Sequence, residues 1–394
     1  MQILVLNSGS SSIKFQLFTM PEAKVICSGL VERIGLDNAK INYKTASQDI
    51  EKIEAIPTHK EGLQLIASYL LDTTTGVIQS ATEIEVVGHR VVHGGSTFAA
   101  TVEINKEVKE KIDKLAALAP LHNPANLQGI LVSEEIFSEA RQVAVFDTAF
   151  HQTMPVEAYK YAIANSFLED NNIRAYGFHG TSHKYVSEKA IEFLGKQKTK
   201  IITIHLGNGC SMTAVKDGRS IEHSLGFAPM NGLIMGTRCG DIDPAVIFYM
   251  VKSLGYSLDE VNSLLQKESG MLGLTGFSDL RDIESEAEKG NKDCQSALAM
   301  NAYRIKKFIG SYAAIMNGLD AIVFTAGIGE NSDTMRTLVC KDLEFMGIEL
   351  DSHKNSIRTK EMRSIEIPSS KVKILVIPTN EELEIAKQSY ELLA

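Results

Sequence analysis

Residues 2–18, QILVLNSGSSSIKFQLF, place five small residues between two apolar runs. The run Ile3–Leu6 stops at Asn7, and the apolar pattern resumes at Ile13, after the small residues 8–12. Two apolar runs around a glycine-containing turn predict a β-hairpin. Glycine lets a backbone approach a ligand closely, and turn N–H groups and serine hydroxyls can hold an anion. The stretch therefore predicts a phosphate-binding turn, with an ordinary hairpin turn as the alternative.

The same pattern returns near the middle of the chain. Residues 200–219, KIITIHLGNGCSMTAVKDGR, again read as strand, glycine turn and strand, and Asp217-Gly218 is typical of a further hairpin turn. Two hairpins alone would be weak evidence of a repeat, but each of these begins about half of the chain. We interpret the protein as two duplicated domains, with a ligand cleft expected between them.

Strand-like and helix-like segments alternate along the chain, which predicts an α/β architecture. Helix starts are indicated by Asn105, by Asn123 followed by Pro124, by Asp243, and by two capping boxes, Ser257 with Glu260 and Thr379 with Glu382. The second box gives Glu382 a structural role and leaves Glu381 as the freer carboxylate. Strand-like runs lie at 2–7, 13–18, 84–92, 142–147, 200–206, 211–215, 320–325 and 373–377.

Composition excludes several classes of protein. The 394 residues suit two domains, and the formal net charge of −9 argues against a nucleic-acid partner, which requires a basic surface. We expect no membrane partner, because no apolar stretch has the length of a membrane span and no signal peptide is recognisable. The five scattered cysteines fit a reducing compartment, so we expect a cytoplasmic protein.

Several polar residues stand where a strand ends or a loop is rich in glycine. Arg90 interrupts the β-branched run in VVGHRVVHGG, a costly place unless it faces an anion or a carboxylate; an edge-strand arginine in solvent is the alternative. Asp147 ends an apolar strand, a usual place for magnesium or catalytic chemistry. His179 precedes a helix, and Arg238 lies in the loop GTRCGD. His89 and His93 are interpreted as strand residues rather than metal ligands.

A third glycine turn, GIGEN at 327–331, follows a strand-like run and opens a helix, where phosphate groups bind favourably. It is not a dinucleotide-binding fingerprint, because Ser332 stands where the third glycine belongs. The chain also lacks the GxxxxGK[ST] phosphate loop. A nucleotide would therefore be held by turns from both domains.

Ten motifs follow one another along the chain: LVLNSGSSSIKF, GHRVVHGG, APLHNPAN, VFDTAFH, YGFHGTSH, HLGNGCS, SLGFAPMNGL, MGTRCGDIDP, GIGEN and TNEE. In sequence and in order they resemble the acetate kinase (acetokinase) family, part of the sugar kinase, Hsp70 and actin superfamily. The departures are small: Cys239 replaces a serine or threonine, and Met230-Asn231 replaces a usual leucine–glutamate pair.

The resemblance implies an α/β fold of two duplicated actin-like (ribonuclease H-like) domains with a nucleotide cleft between them. Residues 1–150 would form the N-terminal domain, with a C-terminal helix at about 381–394 packing back on it. Residues 151–380 would form the C-terminal domain, which would bind the nucleotide and form a homodimer.

The activity implied is Mg²⁺-dependent, reversible in-line transfer of a phosphoryl group from ATP to acetate, giving acetyl phosphate and ADP, with Mn²⁺ able to replace Mg²⁺. Acetate is already ionised at neutral pH, so it needs no base. It needs relief from charge repulsion, which positive side chains and the metal supply.

By the same resemblance, Arg90 would hold the acetate carboxylate, His179 and Arg238 would stabilise the phosphoryl group in the transition state, and His122 would lie close to it. Asp147 would orient an arginine or a metal-bound water. The acetate methyl pocket would comprise Val92, Leu121, Phe178 and Pro229. The metal would be positioned by Asn7 and Glu381. The nucleotide would contact Ser10, Ser12, Lys14, His205, Leu206, Gly207, Asn208, Gly209, Asp279, Leu280, Arg281, Gly327, Ile328, Gly329, Glu330 and Asn331.

Three rival functions remain at this point. A propionate or other short-chain acyl kinase of the same family differs only in the acceptor pocket. A sugar kinase would use Asp147 as a base, but a neutral alcohol does not need two arginines at the acceptor. An actin-like filament protein or chaperone ATPase would lack the acceptor arginines and would carry a polymer-binding or peptide-binding extension.

Overall fold

The structure, a computed structural model, describes residues 1–9, 11–120 and 122–394. The chain divides into two units by its internal contacts. Unit 1 comprises Met1–Phe150 and Asn380–Ala394, and unit 2 comprises His151–Thr379. Each unit contains one mixed β-sheet with helices packed against it.

Unit 1 begins with the hairpin predicted from its first residues. Its strands are β1 Gln2–Ser8, β2 Ser12–Thr19, β3 Lys24–Glu32, β4 Lys40–Thr45, β5 Asp49–Ile53, β6 Val86–Val91, β7 Val102–Glu103 and β8 Arg141–Phe146. Its α-helices are α1 His59–Leu71, α2 Lys106–Lys114, α3 Asn123–Ile136 and, at the C-terminus, α15 Glu381–Leu393.

Unit 2 contains the second predicted hairpin and most of the helices. Its strands are β9 Lys200–Leu206, β10 Cys210–Lys216, β11 Arg219–His223, β12 Ala321–Thr325, β13 Arg363–Ser364 and β14 Lys373–Val376. Its α-helices are α4 Val156–Tyr159, α5 Ser166–Asn171, α6 Gly180–Leu194, α7 Pro244–Leu254, α8 Leu258–Lys267, α9 Gly270–Thr275, α10 Leu280–Glu288, α11 Lys292–Met316, α12 Ala326–Asn331, α13 Asp333–Cys340 and α14 Ser352–Ser356. Short 3₁₀ helices occur at Ala81–Glu83, Leu115–Ala117, Ala149–Thr153 and Glu344–Met346.

The two sheets share their central topology. The strand order is β5-β4-β3-β2-β1-β6-β8-β7 in unit 1 and β11-β10-β9-β12-β14-β13 in unit 2. In unit 1, β1 pairs antiparallel with β2 and parallel with β6. In unit 2, β9 pairs antiparallel with β10 and parallel with β12 in the same way. The duplication predicted from the two glycine turns is therefore confirmed at the level of strand pairing.

The first strand of unit 1 is covered on both faces. Side chains of a strand alternate between faces, so Leu4 and Leu6 join a core with residues of α1, whereas Ile3 and Val5 join a second core with Ile385 of α15. Both faces being apolar explains why β1 reads as a continuous apolar run rather than an alternating one.

Four strands of unit 1 were not predicted from the sequence: β3, β4, β5 and the two-residue β7. β3, β4 and β5 extend its sheet outward from β2, and all five residues of β5 are exposed or only partly buried. Polar side chains on β5 weaken the apolar signal on which strand prediction depends, whereas β3 and β4 contribute buried core residues such as Val31 and Ile41.

The helix starts at Lys106, Pro244 and Leu258 are confirmed, with caps from Asn105, Asp243 and the box of Ser257 with Glu260. Two other cap predictions are wrong. Asn123 is the first residue of α3 rather than its cap, because its amide bonds the loop at His93 instead. The cap of α15 is Asn380, which accepts from the N–H of Leu383, and not Thr379. None of the described helices combines the length and apolar character that a membrane span needs.

Candidate active site

The turn between β1 and β2 is closed by backbone bonds. The Gly9 N–H donates to the Ser12 carbonyl at 2.8 Å, and the Gly9 carbonyl lies 2.7 Å from Nε2 of His59. A side-chain carbon added at Gly9 would lie 3.2 Å from the Ser12 hydroxyl, so this serine lies against the turn. Ser10, the other serine predicted to bind phosphate, lies outside the described residues.

Arg90 is the centre of a charged cluster in unit 1. It lies in β6, between β1 and β8, so the alternative of an edge-strand arginine in solvent is wrong. Asp147 follows β8 and is almost fully buried, and Arg90 donates to it from Nε at 3.0 Å and also from Nη2. Arg90 Nη1 donates to Oδ1 of Asn7 at 3.1 Å. These bonds use three of the five N–H groups of the guanidinium.

Glu381, the first residue of α15, faces the same guanidinium, with Oε2 3.9 Å from Nε of Arg90. Burial raises the pKa of Glu381, Arg90 opposes that rise, and Asp147 adds to it. Burial by itself disfavours the charge on Arg90, but Asp147 and Glu381 outweigh it and raise the pKa of Arg90. The cluster therefore holds a permanently charged guanidinium among oxygen atoms.

Those oxygen atoms can be tested as metal ligands. Among the described residues there is no group of three or more histidine, cysteine, aspartate or glutamate side chains suited to hold a metal ion. Mg²⁺ differs from zinc in this respect, since it commonly uses one or two protein oxygens together with water and substrate phosphates. The amide oxygen of Asn7 and the carboxylate of Glu381, both beside Arg90, are a donor set of this kind.

Lys14 and Glu382 form an ion pair with 2.9 Å between Nζ and Oε1. Glu382 is buried while Lys14 remains about half exposed. Glu382 thus has a structural partner, although not the capping role that the sequence suggested. Any contact of Lys14 with phosphate would share its ammonium group with Glu382.

In unit 2 the turn Gly207-Asn208-Gly209 joins β9 to β10. The Gly207 N–H donates to the Gly209 carbonyl at 3.1 Å, and the Gly236 N–H donates to the Asn208 carbonyl at 3.0 Å. A side-chain carbon at Gly236 would collide with the amide oxygen of Asn208, so a larger residue there would displace the Asn208 side chain. The loop that contains Gly236 thus fixes the position of the turn Gly207–Gly209.

A cavity of about 720 Å³ lies beside this turn, within unit 2. Its lining includes most of the residues predicted to hold the nucleotide in this unit. These are Gly207, Asn208, Asp279, Leu280, Arg281, Gly327, Ile328 and Asn331. A cavity of this size suits a small ligand. The other predicted residues near these turns do not line the cavity: His205, Leu206, Gly209, Gly329 and Glu330.

Sequence reasoning missed other lining residues, notably Met235, Asn301 and Arg358. Asn301 carried a usable signal, because it interrupts the buried apolar stripe of α11. Its side-chain oxygen is buried without a hydrogen-bond partner. Sequence reasoning also missed Arg336, a fully buried arginine that donates to the carbonyl groups of Gly329 and Glu330 and so anchors the GIGEN segment.

His179 and Arg238 meet at the same turn. A side-chain carbon added at Gly209 would lie 3.4 Å from Nε2 of His179 and 3.8 Å from Nη1 of Arg238. Arg238 is held by a 2.7 Å bond from Nη1 to the Pro229 carbonyl, and burial lowers its pKa. His179 has φ 56° and ψ 27°, a left-handed conformation that is uncommon for a residue with a side chain.

Four further histidines form a cluster in the core of unit 2, and one of them, His205, stacks on the ring of His179. The cluster comprises His151, His183, His205 and His223. Burial lowers the pKa of His151 to about 4 and those of His183 and His223 well below their usual value. The neighbouring imidazoles depress the last two further. These three rings are therefore neutral at neutral pH.

The residues predicted to surround the acetate methyl group are divided between the units. Val92 is buried in unit 1, and its N–H donates to Asn126 of α3. Phe178, buried, and Pro229, partly buried, belong to unit 2. Leu121 lies outside the described residues. His122 is the residue before α3, and its N–H donates to the Ala119 carbonyl.

Known proteins match this chain over almost its whole length. The family model described as the Acetokinase family matches residues 2–387. An acetate kinase of Flavobacterium johnsoniae is 68% identical over 393 residues, covering 100% of both chains. A crystal structure of Porphyromonas gingivalis acetate kinase has a TM-score of 0.94 at 45% identity, also with 100% of both chains covered.

A propionate kinase from Francisella tularensis is structurally similar as well, with a TM-score of 0.93 at 44% identity and 99% of each chain covered. Both solved structures support the two-domain α/β fold implied by the sequence motifs. On the family match and on the identity to curated relatives, this chain belongs to the acetokinase family.

Proposed function

We propose that this protein is a phosphotransferase that moves the γ-phosphoryl group of ATP to the carboxylate of acetate, reversibly, giving acetyl phosphate and ADP. Family membership supports this activity, and so does the full-length relative at 68% identity. The observation that carries the proposal is Arg90, a charged arginine in a central strand that keeps N–H groups beyond those bonded to Asp147 and Asn7. An anionic acceptor needs such a group, whereas an alcohol does not.

In the proposed mechanism Arg90 binds the acetate carboxylate and reduces its repulsion from the phosphoryl group. His179 and Arg238, which meet at Gly209, donate to the phosphoryl oxygens as negative charge develops on them. Proton abstraction is unnecessary because acetate is a carboxylate at neutral pH. Transfer is then direct and in line, with His122 close to the phosphoryl group.

Asp147 acts as a positioning residue in this mechanism. Its carboxylate accepts hydrogen bonds from both Nε and Nη2 of Arg90, a two-point arrangement that fixes the plane of the guanidinium. A carboxylate engaged in this way is a poor general base. The geometry therefore disfavours a sugar kinase reaction in which Asp147 would deprotonate an alcohol.

The cavity of unit 2 is the proposed nucleotide site, with phosphates directed to the turns at Gly207–Gly209 and Gly327–Asn331. From unit 1, Ser10, Ser12 and Lys14 are proposed to contact phosphate. Mg²⁺, or Mn²⁺ in its place, would be held by Asn7 and Glu381 together with the nucleotide. When bound, the metal would neutralise phosphate charge.

An acyl hydroxamate assay with acetate, propionate and butyrate, each with ATP and Mg²⁺, tests the function. We expect acetate to give the highest kcat/KM, propionate less and butyrate least. The similar propionate kinase makes a short-chain acyl kinase the second candidate, and a higher kcat/KM for propionate would establish it. Phosphorylation of a sugar with no activity on any of the acids would contradict both.

We further propose a cytoplasmic homodimer that assembles through unit 2. Helix α7 has no buried residue, and Phe248, Tyr249 and Leu254 are more than half exposed. An apolar patch of this kind is typical of a protein–protein interface. Sedimentation equilibrium is expected to give twice the chain mass for the wild type and a lower mass for Phe248→Asp. All five cysteines are unpaired, in keeping with a reducing compartment.

A further inference from the structure

A line of hydrogen-bonded side chains runs from His179 into the core of unit 2. Nδ1 of His179 lies 2.9 Å from the Ser211 hydroxyl, which lies 2.7 Å from Nε2 of His183. Nδ1 of His183 lies 2.7 Å from the Thr203 hydroxyl. Ser211, His183 and Thr203 are fully buried, so water does not compete for these bonds.

Ser211 couples the hydrogen positions of the two imidazoles. A hydroxyl has one hydrogen, so it can donate to one ring and must accept from the other. If Ser211 donates to Nδ1 of His179, then His183 donates to Ser211 from Nε2, and a neutral His179 carries its hydrogen on Nε2. If Ser211 donates to His183, then His179 carries hydrogen on Nδ1.

The two hydrogen-bond arrangements differ at Nε2 of His179, the atom that faces the turn Gly207–Gly209. Nε2 of His179 is the atom near Gly209 and Arg238. With hydrogen on Nε2, His179 donates toward the position proposed for the phosphoryl oxygens. With hydrogen on Nδ1, a neutral ring directs a lone pair at those oxygens and repels them. Proton placement on His179 therefore decides whether the ring helps or hinders transfer.

We infer that Ser211 and His183 are positioning residues that hold neutral His179 in the form with hydrogen on Nε2, an inference that rests on the proposed phosphoryl transfer for its catalytic consequence. In this form Thr203 donates to Nδ1 of His183, His183 donates to Ser211, and Ser211 donates to His179. Every hydrogen in the line then points toward His179.

The surroundings favour neutral rings. His183 contacts His151, His205 and His223, and burial lowers its pKa well below the usual value, with His151, His205 and His179 lowering it further. A neutral His183 carries one ring N–H. It therefore donates to one of Thr203 and Ser211 and accepts a hydrogen bond from the other.

His151 provides an internal contrast. Its Nε2 lies 3.0 Å from the Phe178 carbonyl, which can only accept, so that nitrogen carries the hydrogen whatever happens at Nδ1. Its Nδ1 contacts the Ser220 hydroxyl at 2.9 Å. Ser220 and Ser211 thus make the same kind of bond to a histidine, but a backbone carbonyl already determines the tautomer of His151.

The test is ¹⁵N NMR of the full-length protein labelled at histidine, with the His179 signals assigned from a His179→Gln variant. In the wild type we expect Nε2 of His179 to be protonated and Nδ1 to be unprotonated. Ser211→Ala is expected to give mixed tautomers of His179, and Ser211→Thr, which keeps the hydroxyl, is expected to restore the wild-type signals. Ser220→Ala is the matched control and should leave both His179 and His151 unchanged.

Kinetics supply the second readout. Ser211→Ala is expected to lower kcat by about ten- to a hundredfold, the size of effect typical of a misdirected catalytic group, with the KM values nearly unchanged. Hydrogen on Nδ1 of His179 in the wild type, or an unaltered tautomer in Ser211→Ala, would overturn the inference. The NMR result does not depend on the acceptor, so an inactive wild type would reject the proposed function separately.

Discussion

The two units share a strand arrangement but surround it with different polar side chains. In unit 1, β6, which pairs parallel with β1, carries Arg90. The site there consists of charged side chains, Arg90 with Asp147 and Glu381. In unit 2 Arg238 lies beside the turn between β9 and β10, and the histidines behind that turn are bonded to serine and threonine hydroxyls. Burial keeps three of them, His151, His183 and His223, neutral. A duplicated scaffold therefore does not dictate duplicated chemistry, because side chains at strand ends can change while pairing is kept.

The difference has a consequence for how each site is stabilised. A buried ion pair contributes little net stability because of its desolvation cost, but loss of one partner leaves an uncompensated charge and is strongly destabilising. A cluster of neutral histidines is stable only while the rings remain unprotonated. Unit 1 should therefore be sensitive to single substitutions, and unit 2 to acid.

The largest effect is expected for Arg90→Ala. It removes the acetate contact and the hydrogen bonds that Arg90 donates to the buried carboxylate of Asp147, so kcat/KM for acetate should fall by at least about a hundredfold and stability by about 3–5 kcal/mol. Hydroxamate kinetics and urea unfolding measure the two effects. Arg141→Ala, which breaks an exposed pair with Glu103, is the control and should change neither. Wild-type kinetics for Arg90→Ala would show that unit 1 does not bind the acceptor.

Arg238→Ala tests the other unit. Its contact is proposed to form mainly in the transition state, so kcat should fall by about 10²–10³ while the acetate KM changes little. Steady-state kinetics at saturating ATP separate the two constants. An increase in acetate KM without loss of kcat would instead place Arg238 in ground-state binding.

Acid should weaken unit 2 more than unit 1. His151, His183 and His223 stay neutral in the folded protein, whereas the unfolded chain protonates them below about pH 6.5. The unfolded state then binds more protons, so stability falls as the pH drops from about 6.5 toward 4, by about 1.4 kcal/mol per histidine per pH unit.

Unit 1 has two histidines of this kind, His89 and His93, each with a pKa of about 4 because of burial. Hydrogen exchange at pH 7.5 and 5.5 should therefore show a larger loss of protection in β9, β10 and β12 than in β1, β6 and β8. Equal losses of protection in the two sheets would contradict the expectation that acid destabilises unit 2 more than unit 1.

Glu381→Ala is expected to raise the Mg²⁺ concentration needed for half-maximal activity by about tenfold, through loss of one oxygen ligand, and to raise the acetate KM less. Glu391→Ala is the matched control on the same helix, since Glu391 is exposed near the opposite end of α15, and it should leave the Mg²⁺ requirement unchanged. Equal increases in the Mg²⁺ requirement and the acetate KM for Glu381→Ala would indicate a structural role at the helix start.

The smallest effect concerns Val92. Val92→Ala should increase the propionate-to-acetate ratio of kcat/KM by about fourfold, which corresponds to burial of one methylene group at about 0.8 kcal/mol. Both acids are measured with both proteins. An unchanged ratio with reduced stability would mean that Val92 is a core residue that does not line the acceptor pocket.

Much of the fold was predictable because its signals are local. The hairpins at β1–β2 and β9–β10, the helix starts at Pro244 and Leu258, and the place of Asp147 after β8 each depend on a few neighbouring residues. The errors at α15 and α3 are also local, since Asn380 and His122 occupy cap positions assigned to their neighbours. β5 lacked an apolar pattern, and β7 has only two residues.

The candidate site was predictable only in part. Arg90 in a strand indicated a carboxylate partner, but nothing near it in sequence identified Asp147, which is 57 residues away. Asn301 and Arg336 were missed because their roles depend on α11 and α13 packing beside the glycine turns. Each residue type was visible in the sequence, whereas its neighbours were not.

By itself, the sequence determined the two glycine-turn hairpins, the α/β alternation and the motifs of the acetokinase family, because turn residues and strand patterns act over a few positions. Tertiary structure alone decided which charges meet. The parallel register of β6 and β8 brings Arg90 to Asp147, and the packing of α15 brings Glu381 to the same guanidinium. Tertiary structure also decided that hydrogen bonds link His179, Ser211 and His183. Side chains distant in sequence interact only when strand register and helix packing bring them together.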